Sequence, residues 1–321
     1  MYRIGVDLGG TNIAVGLVDE KYKIVYKQSI PTNAQREAEA ILADIAALCR
    51  RVCEEFGISL AEVEAIGVAT PGAANSETGT VEYTNNLPFC KLPMAKLLSE
   101  QLDGKEVHIE NDANAAAWGE AVAGAAKGVK SSVMITLGTG VGGGIVANGT
   151  IYSGFNFAGG ELGHIVIEHG GVPCTCGRKG CWEAYSSATA LIRMTKEKME
   201  ECRAAGRATV LGNHLSKDGR VTGRTAFDAM RAGDAAAKEV VDTYISYLVT
   251  GLANIVNIFQ PEVISLGGGV SGEGQSLLDA LAPMVREQSY GAAYLPNTEL
   301  RIAELKNDAG IIGAAYLGIE V

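Results

Sequence analysis

The segment YRIGVDLGGTNIAVGLVD, residues 2–19, decides the fold class. Two runs of strand-forming residues, 2–8 and 13–19, flank a turn that contains two glycines, a pattern typical of a β-hairpin. Glycine lets a backbone approach an anion closely, and the N–H groups of a tight turn donate to phosphate oxygens. The segment therefore predicts a hairpin whose turn binds phosphate. Its candidate ligand-binding residues are Asp7, Gly9, Gly10, Thr11 and Asn12.

A second copy of this pattern occurs later in the chain. TLGTGV, residues 136–141, aligns with DLGGTN, residues 7–12, at an offset of 129 residues. A similar pairing relates residues 65–72 to residues 263–270. Strand-like and helical segments alternate along the chain, which indicates an α/β protein. We therefore expect two domains of related topology, each with a five-stranded sheet, whose glycine turns face a shared cleft.

The same patterns give an expected domain division. Apolar residues at helical spacing predict helices over residues 33–57 and 183–206. We assign residues 1–116 to the first domain and residues 117–305 to the second. The C-terminal helix, residues 306–321, is expected to cross back to the first domain.

Composition limits the possible functions. The chain has 321 residues, of which 47% are hydrophobic, so it can form a sizeable core. Its 27 basic and 37 acidic residues give a net charge of −10, which disfavours binding to nucleic acid. The N-terminus lacks the pattern of a signal peptide, and no run approaches the ~18 apolar residues of a membrane span. We expect a cytoplasmic protein with neither nucleic-acid nor membrane partners.

Two further glycine clusters follow strand-like segments. Gly138, Thr139 and Gly140 form the tip of the second predicted hairpin, which can also bind phosphate. The third cluster consists of Gly267, Gly268 and Gly269 and could leave room for adenine or ribose. Asp7, at the end of the first strand, could hold a hydrated Mg²⁺ ion. The alternative is that these glycines only form tight turns.

A carboxylate lies where the strand in VHIEND, residues 107–112, meets a helix. Asp112 could cap that helix, and Asn114 competes for the same role. Alternatively, Asp112 could accept the proton of a hydroxyl group that attacks a γ-phosphoryl group. Position alone leaves both interpretations open.

Three cysteines lie within eight residues, in the spacing Cys-x-Cys-x₄-Cys. In a reducing cytosol such a cluster of Cys174, Cys176 and Cys181 is more often a metal site than a disulfide. A tetrahedral Zn²⁺ site needs a fourth ligand, and both His164 and His169 are close enough in sequence. The spacing therefore favours a closed structural zinc site, with a disulfide as the weaker alternative.

Seven motifs together resemble those of the repressor, open-reading-frame and kinase (ROK) family, and they cover essentially the whole chain. They occur in the family order: DLGGTN, GVATPG, ENDANAAAWGE, TLGTGVGGG, GELGH, CTCGRKGCWE and ISLGGGV. The regulators of this family carry an N-terminal DNA-binding segment, whereas this chain starts at the first glycine-turn strand. It therefore resembles the kinase branch, and within it the bacterial glucokinases. The resemblance implies two actin/hexokinase-like (ribonuclease H-like) domains around a central cleft.

The resemblance also implies roles for individual residues. Asp112 would be the general base and Asn111 would bind a sugar hydroxyl. Glu161, His164 and Glu183 would contact the sugar at its anomeric end, and His164 would be the fourth zinc ligand. The loop around YTNNLP faces the same sugar in the family. Its candidate sugar ligands, with the preceding turn, are Gly72, Asn85 and Asn86.

The implied reaction is transfer of the γ-phosphoryl group of ATP to the 6-hydroxyl of glucose, which yields glucose 6-phosphate. The implied cofactors are ATP, Mg²⁺ and Zn²⁺, and the implied assembly is a homodimer. Several alternatives remain open. The sugar could be N-acetylmannosamine, fructose or allose, the donor could be polyphosphate, or the chain could be a non-catalytic sugar-sensing regulator.

Overall fold

The computed structural model of the chain describes residues 1–319. The strands are β1 Tyr2–Leu8, β2 Asn12–Asp19, β3 Ile24–Pro31, β4 Val63–Thr70, β5 Ala73–Asn75, β6 Thr80–Tyr83, β7 Cys90–Leu92, β8 Val107–Asn111, β9 Ser132–Leu137, β10 Val141–Ala147, β11 Thr150–Ile151, β12 Val263–Gly267 and β13 Glu299–Ile302. The α-helices are α1 Ala38–Phe56, α2 Met94–Gln101, α3 Asp112–Ala123, α4 Glu183–Ser186, α5 Ala188–Ala204, α6 Thr225–Arg231, α7 Ala235–Phe259, α8 Gln275–Gln288 and α9 Ala309–Ala315. Residues 320–321 of the predicted C-terminal helix lie outside the described chain.

The predicted N-terminal hairpin forms and leads into a five-stranded sheet. β1 pairs antiparallel with β2, and Leu8 lies opposite Ile13 next to the turn. On its other edge β1 pairs parallel with β4, and β4 pairs parallel with β8, in the order β3-β2-β1-β4-β8. Ile4 and Val6 are fully buried because helices cover the central strands, as is usual where parallel strands are present. The mixed α/β class is confirmed.

A second five-stranded sheet repeats this order. Its strands run β11-β10-β9-β12-β13, so β9 and β12 occupy the positions that β1 and β4 hold in the first sheet. This correspondence confirms the internal repeat that the two glycine-rich hairpins predict. A third sheet, β5-β6-β7, was not predicted, because its strands have only three or four residues each.

Two predicted helices differ from the structure in their bounds. The first helix starts at Ala38 rather than residue 33, and it ends as predicted at Gly57, whose φ is 90°. The predicted helix over residues 183–206 is two helices. Ser187 interrupts it and accepts a hydrogen bond from the N–H of Ala190, so it caps α5 instead of continuing α4.

The last helix lies against glycines of the first sheet. A Cβ at Gly5 of β1 would be 1.8 Å from the carbonyl oxygen of Ile311, and one at Gly67 of β4 would be 1.7 Å from that of Ala314. Only glycine permits this close packing of α9. The α-helix is shorter than predicted and ends at Ala315, where Arg3 donates to the carbonyl oxygens of Ala315 and Leu317.

The chain divides into two compact units. The first comprises Met1–Met134, Gly144–Gly160 and the described residues from Ala303 onward. The second comprises Ile135–Gly143 and Glu161–Ile302. The functional assignment of residues 1–116 with 306–321, and of residues 117–305, stays a prediction. No helix within residues 1–319 is long and apolar enough to span a bilayer.

Candidate active site and metal centre

Thr32, a residue that the sequence analysis did not single out, forms hydrogen bonds to the backbone of the first glycine turn. The fully buried Thr32 donates through Oγ1 to the carbonyl oxygen of Gly9 at 2.6 Å, and through its N–H to that of Thr11 at 2.8 Å. The Gly9 N–H donates to the carbonyl oxygen of Asn12 at 2.9 Å. These bonds fix the turn. A Cβ at Gly10 would lie 2.9 Å from Nδ2 of Asn86, so the turn adjoins the YTNNLP loop.

Asp7 is a partly buried acid at the end of β1. Burial and the nearby charge of Asp112 raise the pKa of Asp7 to about 6. The residues present therefore fit a divalent cation, because a cation next to these carboxylates would stabilise their ionised forms. This is the position at which the sequence predicts Mg²⁺.

Neither Asp112 nor Asn114 caps α3. Asn111 does so, since its Oδ1 accepts from the N–H groups of Ala113 and Asn114 at 3.0 and 3.2 Å. The N-cap position suggested for Asp112 was therefore wrong, although Oδ1 of Asp112 also accepts from the N–H of Ala113 at 2.8 Å. The Asp112 side chain is instead exposed in the first turn of the helix, where the helix dipole favours a negative charge.

The amide of Asn111 also positions the segment that contains Gly72. Nδ2 of Asn111 donates to the carbonyl oxygen of Gly72 at 3.0 Å. Gly72 has a φ of 86°, and a Cβ there would be 2.1 Å from the carbonyl oxygen of Tyr83. A side chain is thus excluded at this position. The predicted sugar-binding roles of both residues stay predictions.

The YTNNLP loop connects β6 to β7 in the small third sheet. Thr84 is buried and donates to the carbonyl oxygen of Leu87 at 2.6 Å, which fixes the base of the loop. Asn85 and Asn86 are exposed at its tip. Buried anchors below exposed amides are typical of a loop that presents polar groups to a ligand.

The second glycine turn is fixed from within the second unit. The N–H of Ala188 donates to the carbonyl oxygen of Gly138 at 2.8 Å, and Oγ1 of Thr189 donates to that of Thr139 at 2.8 Å. Glu183 lies against the same turn. Its Oε2 accepts from the N–H of Val141 at 3.1 Å.

Glu183 thereby joins the second turn to the cysteine segment. A Cβ at Gly140 would lie 2.2 Å from Oε2 of Glu183, so glycine makes room for this carboxylate. On its other side, Oε1 accepts from the hydroxyl of Thr175 at 3.2 Å and from the thiol of Cys174 at 3.7 Å. Both carboxylate oxygens therefore have protein partners, which the sequence did not predict.

The third glycine cluster has a packing role in part. Gly268 has a φ of 81°, and a Cβ there would be 2.6 Å from the backbone of Leu137 in β9. Gly267 ends β12, and Gly269 starts a 3₁₀ turn with open space beside it. Gly268 is thus required by the fold, whereas Gly269 is free to face a ligand.

Four side chains of the cysteine segment converge as a tetrahedral metal site requires. The ligand atoms of His164, Cys174, Cys176 and Cys181 all lie within 4.8 Å of one another. Nδ1 of His164 is 3.7 Å from Sγ of Cys174, and the sulfurs of Cys176 and Cys181 are 3.6 Å apart. Zinc–sulfur bonds of ~2.3 Å in a tetrahedron place sulfurs about 3.8 Å apart, so the spacing fits Zn²⁺.

The disulfide alternative does not hold in this structure. All seven cysteines, each within the described chain, are free thiols. The distance between Cys176 and Cys181 far exceeds the ~2.05 Å of a disulfide bond. Burial raises the pKa of Cys181 to about 12, whereas a backbone N–H from Arg178 lowers that of Cys176.

The metal segment is anchored by glycine and tryptophan. A Cβ at Gly180 would lie 1.7 Å from the carbonyl oxygen of Glu168, so only glycine allows the hairpin to close. Trp182 is fully buried, and its Nε1 donates to the carbonyl oxygen of Tyr247 at 3.1 Å.

Glu161 is exposed just before the 3₁₀ turn Leu162–His164. His169 is exposed and does not join the cluster, in agreement with the choice of His164.

The model of the ROK family matches residues 3–321. The chain belongs to the ROK family. A glucokinase from Halalkalibacterium halodurans is 40% identical over 319 residues, which cover 98% of this chain and 94% of that protein. A glucokinase from Thermotoga maritima is 36% identical over 315 residues, with 98% and 96% covered.

Solved structures of ROK proteins share the fold. The chain resembles a ROK family glucokinase from Streptomyces griseus in complex with glucose and AMPPNP, with 35% identity and a TM-score of 0.77. The match covers 99% of both chains. These three matches cover 98–99% of this chain.

The predicted site residues of this ROK chain divide between its two units. The first unit holds the first turn, the YTNNLP loop and the strand-to-helix junction: Asp7, Gly9, Gly10, Thr11, Asn12, Gly72, Asn85, Asn86, Asn111 and Asp112. The second unit holds the second and third glycine clusters, the acids Glu161 and Glu183, and the four candidate metal ligands.

Proposed function

We propose that this ROK protein catalyses ATP-dependent phosphorylation of glucose at its 6-hydroxyl and releases glucose 6-phosphate and ADP. Support comes from its full-length similarity to glucokinases at 36–40% identity. The assignment to glucose rather than another hexose rests on those relatives.

One geometric observation carries the catalytic part of this proposal. The parallel strands β1, β4 and β8 end side by side, with Asp7 opposite Ala69 and Thr70 opposite Asn111. Ligands of α/β sheets bind at the carboxyl ends of such strands. That edge carries the first glycine turn, the turn at Gly72 and the exposed Asp112.

In the proposed reaction, Asp112 accepts the proton of the 6-hydroxyl group while the oxygen of that hydroxyl attacks the γ-phosphorus of ATP. The bond between that phosphorus and the β,γ-bridging oxygen breaks, and the electron pair leaves with ADP. The carboxylate chiefly orients the hydroxyl, so it must be ionised and accessible. Asp7 would hold Mg²⁺, which neutralises phosphate charge when bound. The remaining ATP-binding residues that we propose are Gly9, Gly10, Thr11, Asn12, Gly138, Thr139, Gly140, Gly267, Gly268 and Gly269.

The proposed sugar-binding residues are given for each unit separately. In the first we propose Gly72, Asn85, Asn86 and Asn111, and in the second Glu161, His164 and Glu183. A structural Zn²⁺ held by His164, Cys174, Cys176 and Cys181 would fix the segment that carries these acids. Metal binding would also convert Cys174 to a thiolate, which cannot donate to Glu183. Oε1 of that acid would then be more available to a sugar hydroxyl.

We further propose that the protein acts in the cytoplasm as a homodimer. The net charge of −10 argues against general binding to nucleic acid. The homodimer rests on resemblance to the family alone. Sedimentation of the purified protein would test it.

The decisive experiment is a steady-state assay with ATP and Mg²⁺ against a panel of hexoses. We expect kcat/KM to be highest for glucose. A higher value for N-acetylmannosamine, fructose or allose would reject glucose as the substrate. Turnover of no sugar, together with measurable sugar binding, would indicate a sensor. A parallel assay with polyphosphate in place of ATP decides the donor.

A further inference from the structure

Glu110 is a buried acid directly before the junction of β8 and α3. Its side chain lies on β8 opposite Ala69 of β4, and the residue is 3% exposed. Burying a carboxylate is unfavourable unless hydrogen bonds replace the lost water. The proposed reaction makes no direct use of this acid.

Three donors surround the carboxylate of Glu110. Oε1 accepts from the backbone N–H of Asn111 at 2.9 Å and from Nδ2 of Asn114 at 3.0 Å. Oε2 accepts from Oγ of Ser153 at 3.1 Å. Burial raises the pKa of Glu110, and these three bonds oppose that rise without cancelling it.

Stability alone is a weak explanation for this buried network. Oδ1 of Asn114 is buried and has no hydrogen-bond partner within the described chain. An unpaired buried acceptor costs about 1–3 kcal/mol, and apolar replacements of buried polar networks are often as stable. The network therefore holds Asn114 in an orientation that is unfavourable for its own oxygen.

Two of the three hydrogen-bond partners of Glu110 flank the proposed general base in sequence. Asn111 precedes Asp112 and caps α3, while Asn114 lies two residues after it. Ser153 belongs to the segment that follows β11. A shift of Glu110 would thus move the backbone N–H of Asn111 and the first turn of α3 together.

We propose that Glu110 is a positioning residue that sets the orientation of Asp112 through Asn111, Asn114 and Ser153. It makes no contact with substrate in this role. The inference rests on the proposed function, because it assigns Asp112 the part of general base. Misplacement of a catalytic group by about 1 Å can reduce a rate about a hundredfold.

The test uses Glu110→Gln in the full-length protein, with Glu106→Gln as the matched control. Gln keeps an oxygen for the two bonds at Oε1. The Ser153 hydroxyl can reverse and accept from the new amide, since a hydroxyl both donates and accepts. Glu106 is an exposed acid immediately before the same strand, so its variant tests the loss of a negative charge away from Asp112, together with the 3.2 Å contact of Oε1 with Nε2 of His108.

We expect Glu110→Gln to lower kcat about tenfold to a hundredfold with KM for glucose within about threefold of wild type. Amide hydrogen exchange across residues 111–118 should become faster, while exchange in α1 and the melting temperature stay near wild type. The variant Ser153→Ala should lower kcat less and add little to Glu110→Gln, because both act on one network.

Two results would overturn the proposal. One is a Glu110→Gln protein with the kcat of the control and unchanged exchange across residues 111–118. The other is a lower melting temperature with unchanged kcat per folded molecule, which indicates a purely structural role. If the wild-type protein phosphorylates no sugar, the proposed function fails first. The exchange measurement then still decides whether Glu110 orders the junction.

Discussion

The substitution Gly67→Ala should separate α9 from the first sheet. A Cβ at this position would lie 1.7 Å from the carbonyl oxygen of Ala314, whereas Cβ contacts under 3.0 Å are essentially never found. The helix would have to retreat by about 1.3 Å, and a gap of 0.5–1 Å already forfeits a quarter to a half of the dispersion attraction. Because α9 is buried along most of its length, this loss is not confined to one side chain.

Overpacking of a well-packed core destabilises by about 1–3 kcal/mol, and we place Gly67→Ala at about 3 kcal/mol because the clash is with backbone. With an unfolding entropy of about 2.1 cal/mol/K per residue, that corresponds to a fall in melting temperature of about 4–5 °C for the 321-residue chain. The assay is thermal unfolding followed by circular dichroism. Gly212→Ala is the matched control, since a Cβ there meets nothing within 4 Å.

A second variant sharpens this test. Ala314→Gly combined with Gly67→Ala should not restore stability, because the obstructing atom is a backbone oxygen rather than a methyl group. A Gly67→Ala protein that melts within about 2 °C of Gly212→Ala would refute the packing argument. Helix α9 also lies close to Asp7, because a Cβ at Gly310 would be only 3.2 Å from the Asp7 carboxylate. Displacement of α9 in Gly67→Ala should therefore also raise KM for MgATP.

Three other variants test the proposed site. Asp112→Asn should lower kcat by about 10²–10⁴-fold while glucose binding, measured by calorimetry, is retained, because the loss of a general base affects proton transfer. Cys181→Ser should reduce the zinc content from one ion per chain, measured by mass spectrometry, since a structural site needs four ligands. Gly140→Ala should raise KM for ATP about tenfold, because the new Cβ would lie 2.2 Å from Oε2 of Glu183 and displace either the turn or the acid.

Each of these variants has a control or a contradicting result. Cys90→Ser removes an exposed cysteine outside the cluster and should leave the zinc content unchanged. Gly272→Ala adds a methyl group in open space and should leave KM for ATP unchanged. Activity of Asp112→Asn within tenfold of wild type would exclude Asp112 as the general base. Full zinc content in Cys181→Ser would exclude the proposed ligand set.

The repeated topology and the convergence of the three cysteines could be predicted because their signals are local. Strands that run into glycine turns are visible at both hairpins, and the ligand atoms of one loop follow from the spacing of its cysteines. The cap of α3 could not be predicted in the same way. Asn111, Asp112 and Asn114 are all suitable caps, and only the backbone angles of the junction choose among them.

Other features depend on partners that are distant in sequence. Helical spacing continues across Ser187, so periodicity gave no sign of the break before α5. Gly5 and Gly67 lie inside strands with ordinary backbone angles, and the need for glycine comes from a helix more than 240 residues later. The bonds of Glu183 to the second turn likewise need the tertiary structure, because 42 residues separate it from Val141.

The position of α9 in the first unit affects folding during protein synthesis. β1 and β4 leave the ribosome early, yet the helix that covers their glycines is among the last segments to be made. At 5–20 residues per second, the groove at Gly5 and Gly67 stays uncovered for on the order of 15–60 s. A chain that terminates before Ala309 would leave that groove open permanently. Such incomplete products should be cleaved more readily by proteases and bound more readily by chaperones.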